Sequence, residues 1–575
     1  MPGLPVSEMV EFSRNVVNEV QQEDMQIELG NIYHMGRSEN TPVKLDVQSL
    51  SAHTLITGST GTGKSNTVYH ILNELRKNKI NFLVVEPAKG EYKNIFGNNG
   101  DVSVYSTNEK ISELLRINPF KFPDSVHVLE HIDRLIEIFN VCWPMYAAMP
   151  AVLKNAVLNA YESCGWDLEN SENLLGENIY PNFKDVQREL TEVIKGSAYS
   201  EEVKGNYVGS LATRIKSLTN GINGKIFTDN DLSYTELFDK NVIIDLSRVG
   251  STETKSLIMG IIVMSLNEYR MEQNLFTMNQ KMKHITVLEE AHNLLRNSSI
   301  MGTGAEEGGN LVGKSVEMIT NSIAEMRTYG EGFIIVDQSP SAIDISAVRN
   351  TNTKIIMRLP EETDRNQMGR SAALEEDQIG ELAKLHRGTA VIYQNNWLDP
   401  VLCLIKKAQV EEQPYIFQKQ ISRKKVDYTE LFRMLFSNRV DEKLDFDLDR
   451  IEKNIELANF STKTKLLLKE AVDSIKTKQI PAIMTENAFK NLSDVVVEIL
   501  DVKEKLYRFI EIGDNCELLQ QELNKEIERC TIKSSNELKL AISQCIMREI
   551  VEFDVRQIEL YSRWREFAVE QRKLV

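Results

Sequence analysis

The chain has 575 residues, 42% hydrophobic and 26% charged, which suits an ordered protein of about two or three domains. Its net charge of −17 argues against a protein that binds nucleic acid over its whole surface, but not against binding inside a channel. No apolar run reaches the roughly 20 residues that span a bilayer, and the first residues lack a secretory signal. The six cysteines have no zinc-binding spacing, so we expect reduced thiols in a cytoplasmic protein without a membrane partner.

Residues 1–50 form a short N-terminal segment with two stretches of alternating hydrophobicity, MQIELGNIY and PVKLDVQS, which predict edge strands. Residues 51–410 contain compact apolar runs rich in β-branched residues: HTLIT (53–57), NFLVVEP (81–87), NVIIDLS (241–247), HITVLEE (284–290), GFIIVDQS (332–339), KIIMRL (354–359) and TAVIYQ (389–394). Such runs are typical of strands buried on both faces of a mainly parallel sheet. We therefore expect an α/β core whose ligands bind at the carboxyl ends of the strands.

Two regions have helical rather than strand patterns. Residues from about 120 to 235 include HVLEHIDRLIEIFNV and PAVLKNAVLNAYESCGW, which predict a helical insertion within the core. After residue 410, proline and glycine become rare, and leucine, isoleucine and valine recur at helical spacing among many charged residues. We therefore expect a short N-terminal β segment (1–50), a core domain (51–410) and an all-helical C-terminal domain (411–575).

Residues 58–65 read GSTGTGKS and fit the Walker A pattern G-x-x-x-x-G-K-[ST] between a predicted strand and a predicted helix. The loop amides would hold phosphate oxygens, Lys64 would span the β- and γ-phosphates, and the Ser65 hydroxyl would bind Mg²⁺. The alternative is a glycine-rich turn that fits by chance, which the strand–loop–helix order disfavours. We predict a site for ATP and Mg²⁺ with these nucleotide-binding residues: Gly58, Ser59, Thr60, Gly61, Thr62, Gly63, Lys64, Ser65 and Asn66.

Two adjacent acids end the predicted strand HITVLEE in the manner of a Walker B motif, and we expect both to be catalytic. Glu289 would face Mg²⁺ through a water molecule, because glutamate is one methylene longer than the commoner aspartate. Glu290 would orient the attacking water. The alternative is a strand that simply runs into a charged helix start.

Five glycines crowd the stretch 301–313, which predicts an irregular loop beside the nucleotide site. Such a loop could relay the nucleotide state to a substrate, or it could be a surface loop without that role.

Polar residues flank the strand FIIVD on both sides. Gln338 follows the strand and is predicted to sense the γ-phosphate, although it could instead satisfy a backbone group. Arg327 precedes the strand and is a candidate to stabilise the transition state from a neighbouring subunit, a role that contributes about 10³–10⁵ in rate. A surface salt bridge is the alternative for Arg327, and Arg349, Arg358 and Arg365 compete for the same role.

Seven motifs resemble, in their order, those of the HerA family of HerA/FtsK-like P-loop translocases: LITGSTGTGKS (55–65), VVEPAKGEY (84–92), RINPF (116–120), VIIDLS (242–247), VLEEAHNLL (287–295), RTYGEGFIIVDQSP (327–340) and LHRGTAVI (385–392). The resemblance covers about residues 50–410. Typical members carry a long β-barrel before the core, so this chain resembles a member in which that cap is reduced or absent. The long helical C-terminal region is a second departure from the family pattern.

The resemblance implies a hexameric ring of RecA-like P-loop cores, with ATP at the subunit interfaces and double-stranded DNA in the central pore. It implies that Lys64 and Ser65 bind nucleotide and Mg²⁺, that Glu290 is the catalytic carboxylate, that Gln338 is a sensor and that Arg327 is the interfacial arginine. It also implies a DNA translocase or helicase that works with a nuclease or an NAD-consuming effector, in DNA processing or antiviral defence.

Three other functions compete with this interpretation. A superfamily-2 helicase would explain the DEAH-like sequence EEAH, but it needs a second RecA-like domain, for which the predicted strands do not suffice. A small-molecule kinase also uses a P-loop, but it rarely has a helical appendage and two acids at a strand end. A nucleotide-gated scaffold, which assembles and activates an effector enzyme without extensive DNA translocation, needs the same ATPase site and stays open.

Overall fold

The computed structural model describes residues 10–14, 25–143, 145–146, 148–176, 179–277, 279–297, 306–417, 427–436, 446–478 and 488–573. The chain divides into two compact units. The ATPase-core unit comprises Met1–Gly176 and Val186–Lys419, and the helical unit comprises Glu177–Asp185 and Gln420–Val575.

The strands of the core unit are β1 (Gln26–His34), β2 (Arg37–Asp46), β3 (Thr54–Thr57), β4 (Asn81–Glu86), β5 (Val102–Ser106), β6 (Glu113–Leu114), β7 (Trp166–Asp167), β8 (Glu172–Asn173), β9 (Asn241–Asp245), β10 (His284–Glu289), β11 (Glu331–Asp337), β12 (Thr353–Ile356), β13 (Thr389–Gln394) and β14 (Val401–Ile405). Twelve of them form one sheet in the order β2-β1-β14-β13-β12-β3-β11-β10-β4-β9-β5-β6. β7 and β8 form a separate antiparallel pair.

The sheet is parallel from β12 to β6 and antiparallel from β13 to β2. Each of the predicted apolar runs is a strand, and the central strands β3, β9, β11 and β12 are buried at every residue. Burial on both faces explains why these strands lack the alternation of polar and apolar residues. The predicted α/β fold with a mainly parallel sheet is thus confirmed.

The N-terminal strands β1 and β2 extend the core sheet. β1 pairs with β14, and β2 lies at the edge, as the alternation of the two stretches predicts. Strands β1 and β2, from the segment expected as a short N-terminal β segment and reduced cap, belong to the same compact unit as the core. Pairing with β14, which lies far along the chain, could not be read from local sequence.

The helices up to residue 381 are α1 (Val47–Leu50), α2 (Lys64–Lys77), α3 (Tyr92–Phe96), α4 (Val128–Cys142), α5 (Met149–Ser163), α6 (Phe183–Gly196), α7 (Glu201–Tyr207), α8 (Thr213–Thr219), α9 (Asn223–Ile226), α10 (Tyr234–Phe238), α11 (Thr252–Gln273), α12 (Glu306–Glu325), α13 (Ile345–Arg349), α14 (Glu362–Ser371) and α15 (Glu376–Glu381). Helices α4 to α10 lie between β6 and β9 and form the predicted helical insertion. Helix α2 starts directly after the Walker A loop and buries its apolar face in the core: Val68, Ile71, Leu72 and Leu75.

The glycine-rich stretch is partly helical. The prediction of an irregular loop over 301–313 is wrong for residues 306–313, which belong to α12. A glycine costs a helix only about 1 kcal/mol relative to alanine. Helix α12 packs against α4, and its buried residues include Val316 and Ile319, so this burial outweighs the glycine penalty. Residues 301–305 lie outside the described part of the chain.

The helical unit contains α16 (Thr429–Leu435), α17 (Leu448–Leu457), α18 (Thr462–Lys478), α19 (Ala488–Leu500), α20 (Leu506–Glu511), α21 (Cys516–Cys530), α22 (Asn536–Phe553) and α23 (Ile558–Lys573). It has its own hydrophobic core, in which the buried Trp564 donates a hydrogen bond to Gln520 at 2.9 Å. Its described residues from 427 onward contain helices and no strand, which confirms the predicted helical C-terminal region.

A short piece of the insertion belongs to the helical unit. The buried Asp185 accepts hydrogen bonds from the backbone N–H groups of Thr462 (2.8 Å) and Lys463 (3.2 Å), at the start of α18. A carboxylate at a helix N-terminus satisfies free N–H groups and the helix dipole. In the described residues, no helix is both long and apolar enough for a transmembrane segment.

The buried His53 makes the stability of the core unit depend on pH. Its Nδ1 accepts a hydrogen bond from the Phe333 N–H at 3.1 Å, and burial lowers the pKa of the imidazole to about 4. In the unfolded chain His53 takes up a proton near pH 6.5, whereas in the folded chain it stays neutral down to about pH 4. The contribution of neutral His53 to the free energy of unfolding is therefore complete above pH 6.5 and is lost as the pH falls towards 4.

We expect His53→Asn to remove this pH dependence. Asparagine keeps an acceptor and tolerates the positive φ of +66° at this position. Between pH 7 and pH 5 the wild-type protein should lose about 2 kcal/mol more in free energy of unfolding than the variant. Urea unfolding followed by tryptophan fluorescence at both pH values measures the difference, and equal losses would contradict the assignment to His53.

Candidate active site

The Walker A loop connects β3 to α2 at the carboxyl edge of the sheet. Its glycines have left-handed or extended backbone angles, with φ of +79° at Gly61 and +116° at Gly63. A side chain at Gly58 would place its Cβ 2.6 Å from the Cβ of Met357 on the neighbouring strand end. The loop therefore needs its glycines to turn its amides inward, as the sequence pattern predicts.

Lys64 lies across this loop. Its Nζ donates hydrogen bonds to the carbonyl groups of Gly58 and Ser59, the latter at 3.4 Å. Burial lowers the pKa of Lys64, while the charges of Glu289 and Glu290 oppose that shift. When phosphate binds, the partly buried ammonium group of Lys64 can exchange its hydrogen bonds to the loop carbonyl groups for hydrogen bonds to phosphate oxygens.

Acidic side chains end three neighbouring strands. Glu86 on β4 is in register with Asp245 on β9, and β4 also pairs with β10, which ends at Glu289. Glu86 accepts two backbone N–H groups of the loop that follows β4, and burial raises its pKa to about 8. Asp245 forms an ion pair with Lys93. Sequence reasoning missed Glu86 and Asp245, although both end buried strands within the motifs VVEPAKGEY and VIIDLS.

Glu289 is more enclosed than the sequence suggests. Its carboxylate accepts a hydrogen bond from the Tyr92 hydroxyl, and burial raises its pKa to about 7. Carboxylate oxygens and the Ser65 hydroxyl are the hard donors that Mg²⁺ prefers. A cation beside Glu289 would favour its charged form against the cost of burial, so this donor set fits a magnesium ion.

Glu290 and Gln338 meet at the tips of β10 and β11. The Gln338 amide donates to Glu290 Oε1 at 2.7 Å, and its oxygen accepts a hydrogen bond from Thr60 Oγ1 at 2.7 Å. The structure thus brings these two predicted residues into one hydrogen-bonded chain with the Walker A loop. Glu290 has a φ of +47°, a conformation that non-glycine residues adopt rarely and often at functional sites.

An open pocket lies among these groups. The residues that line it are Thr60, Gly61, Gly63, Lys64, Ser65, Asn66, Glu86, Ala88, Lys89, Glu91, Tyr92, Glu289, Glu290, Gln338 and Arg387. The lining contains two basic residues that the sequence interpretation did not assign, Lys89 and Arg387. Both belong to quoted motifs, VVEPAKGEY and LHRGTAVI, so the signal for them was present.

Arg327 lies away from this pocket. It is exposed in a 3₁₀ turn, Met326–Tyr329, before β11, whereas Gln338 follows the same strand. A strand rises about 3.3 Å per residue, so the length of β11 separates Arg327 from its own pocket by roughly 20 Å. Within one chain, Arg327 therefore cannot act on the nucleotide bound to that pocket.

The competing arginines have different locations. Arg349 is exposed at the end of α13, before β12, and so lies at the same sheet edge as Arg327. Arg358 follows β12 near the Walker A loop, and Arg365 donates to the carbonyl groups of Leu359 and Pro360. Arg387 is the arginine that lines the pocket among the described residues.

Comparison with known proteins agrees with this geometry. Residues 27–266 match the family model described as "Helicase HerA, central domain". A probable helicase of Methanocaldococcus jannaschii is 25% identical over 393 residues, which are 64% of this chain and 68% of the relative. The DNA double-strand break repair helicase HerA of Sulfurisphaera tokodaii is 24% identical over 370 residues, covering 64% of this chain and 67% of the relative.

The fold also has a counterpart among solved structures. VirB4 of Thermoanaerobacter pseudethanolicus aligns with a TM-score of 0.51 at 17% sequence identity, over 67% of this chain and 97% of that protein. The Walker A loop, the acidic strand ends and the parallel sheet define a P-loop ATPase. The ordered motifs, the family model over residues 27–266 and the similarity to HerA proteins support a member of the HerA family.

Proposed function

We propose that this protein is the motor subunit of a ring that uses ATP hydrolysis to translocate double-stranded DNA. The observation that carries the proposal is the hydrogen-bonded chain from Thr60 through Gln338 to Glu290, which links the phosphate loop to the acidic strand tip. The relatives named as DNA repair helicases support DNA as the substrate.

The site residues divide the chemistry among them. The loop amides and Lys64 bind the ATP phosphates, and Asn66 anchors the start of α2 by hydrogen bonds with Lys406 O (3.0 Å) and Ala408 N–H (2.9 Å). Glu290 orients the attacking water and accepts its proton at the carboxylate, while Gln338 holds Glu290 and senses the γ-phosphate. Ser65 and Glu289 would hold Mg²⁺, which neutralises charge on the phosphate oxygens when bound.

The location of Arg327 supports a head-to-tail ring, with a hexamer as the proposed size and DNA in the central pore. Because Arg327 and its own pocket lie at opposite sheet edges, each pocket would receive this arginine from the next copy. Such a heterologous contact closes into a ring when the rotation between copies allows it. We further propose a nuclease or NAD-consuming effector as partner, in DNA processing or antiviral defence in the cytoplasm.

A nucleotide-gated scaffold is the second candidate. The helical unit exposes three apolar side chains around the turn between α22 and α23: Phe553 (60%), Val555 (73%) and Ile558 (57%). Exposed apolar clusters often mark surfaces for other proteins. A protein that only assembles an effector would use such a surface and would not need to move DNA.

Translocation on DNA separates the two candidates. We expect duplex DNA to stimulate ATP hydrolysis and the protein to displace a third strand annealed on that duplex, because a motor must push past it. Lys64→Ala is the control without nucleotide binding and should show neither activity. If duplex DNA does not change the rate of ATP hydrolysis and the third strand stays annealed, the motor function is contradicted and the scaffold function is supported.

A further inference from the structure

Asp337 at the end of β11 accepts hydrogen bonds from four donors. Its Oδ2 accepts the backbone N–H of His292 at 2.9 Å and His292 Nδ1 at 2.8 Å. Its Oδ1 accepts the backbone N–H groups of Gln338 at 2.8 Å and Ser339 at 3.1 Å. Asp337 is 2% exposed, so its carboxylate is shielded from water.

These bonds join the two strand tips that carry the proposed catalytic groups. His292 follows Glu290 by two residues, and Gln338 follows Asp337 directly. Glu290 is held at a φ of +47°, a strained conformation that persists only where neighbouring contacts fix it. His292 Nδ1 also lies 3.6 Å from Glu290 Oε2, so the hydrogen-bonded pair of Asp337 and His292 lies directly beside the Glu290 carboxylate.

A metal ion is a possible alternative role for this cluster, because donor atoms of Glu290, His292 and Asp337 lie within 4.8 Å of one another. Both Asp337 oxygens, however, already accept two donors each. A metal would have to displace His292 or the N–H groups of the Gln338 turn. The hydrogen bonding therefore favours a positioning role.

We propose that Asp337 is a positioning residue for ATP hydrolysis: it fixes the tip of β10 against the tip of β11, so that Glu290 and Gln338 meet. The inference rests on the roles proposed for Glu290 and Gln338. It assigns to Asp337 no contact with ATP. Loss of its charge should therefore slow the chemical step and leave nucleotide binding intact.

The first test is Asp337→Asn. The neutral amide of asparagine presents one acceptor oxygen and cannot satisfy all four donors, so the two strand tips should lose their fixed alignment. We expect kcat to fall about 100-fold, as for a reacting group displaced by about 1 Å. The affinity for a fluorescent ATP analogue should stay within about threefold of wild type.

Asp364→Asn is the matched control. Asp364 is also buried (4% exposed) and accepts hydrogen bonds in the same segment, from Ser339 Oγ (3.1 Å) and the Ser341 N–H (3.0 Å). It has no hydrogen bond with His292 or Gln338 among the described contacts. Its kcat should stay within about threefold of wild type, and an equal fall in both variants would mean a general packing effect and overturn the inference.

Two further variants complete the test. His292→Phe removes the hydrogen bond from the imidazole to Asp337 and keeps the one from the backbone N–H. It should lower kcat about tenfold. This variant also provides a readout if Asp337→Asn does not fold. If His292→Phe keeps wild-type kcat, the inference fails. If Glu290→Gln turns over normally, the proposed site itself fails. If Glu290→Gln is inactive while Asp337→Asn is fully active, only the positioning role of Asp337 is overturned and the proposed site stands.

Discussion

Glu290→Gln should bind ATP with wild-type affinity and lose hydrolysis by about 10²–10⁴-fold, the usual contribution of a general base. The amide keeps the size of the side chain and can still pair with Gln338, which lies 2.7 Å away. It cannot accept a proton from water. The binding residues of the Walker A loop stay unchanged, so nucleotide should accumulate on the protein.

Single-turnover hydrolysis of radiolabelled ATP measures the chemical step, and equilibrium binding of a fluorescent ATP analogue measures affinity. Glu202→Gln is the matched control, because Glu202 is an exposed glutamate in α7, within the helical insertion. Its turnover should equal that of wild type. Normal turnover in Glu290→Gln would remove this residue from its proposed role, whereas loss of affinity would indicate a binding role instead.

Local pattern was sufficient for the parts of the fold that depend on burial and backbone conformation. The runs that became β3, β4, β9, β10 and β11 are compact and rich in apolar residues, because a strand covered on both faces has few solvent-facing positions. The Walker A loop could be recognised for a similar reason. Its glycine spacing is dictated by the geometry of phosphate binding.

Other features depend on contacts between distant parts of the chain. The adjacency of Glu86 and Asp245 follows from the pairing of β4 with β9, which are separated by the whole helical insertion. The contact of Asp185 with the start of α18 joins residues more than 270 positions apart. No periodicity reports such pairings, so sequence reasoning found the acidic strand of the Walker B motif but not its neighbours.

Glycine content misled for a third reason. The stretch 306–313 has poor helix propensity, yet it continues into a helix whose apolar face is buried against α4. Intrinsic propensity is a weak preference of about 1 kcal/mol per glycine, and tertiary packing routinely exceeds it. The strained Glu290 is the opposite case: glutamate rarely adopts a φ of +47° by local preference, and the Gln338 side chain holds its carboxylate by a hydrogen bond.

Arg327→Ala should lower hydrolysis by about 10³–10⁵-fold, the range for an arginine supplied by a neighbouring subunit, with ATP affinity retained. The reason is geometric. Arg327 lies roughly 20 Å from its own pocket, so its guanidinium can stabilise transferred phosphate only on another copy. Arg349→Ala is the matched control, because Arg349 is also exposed at that sheet edge.

Mixed rings test action between subunits directly. Each Arg327→Ala subunit keeps Glu290, and each Glu290→Gln subunit keeps Arg327, so some interfaces in a mixed ring contain both intact residues. At equal amounts about one quarter of the interfaces should be complete, and activity should recover towards that fraction if the sites act independently. Native mass spectrometry would verify that the rings are mixed. Verified mixed rings without recovered activity would show that Arg327 does not complete a neighbour's site, and the head-to-tail arrangement would lose its support.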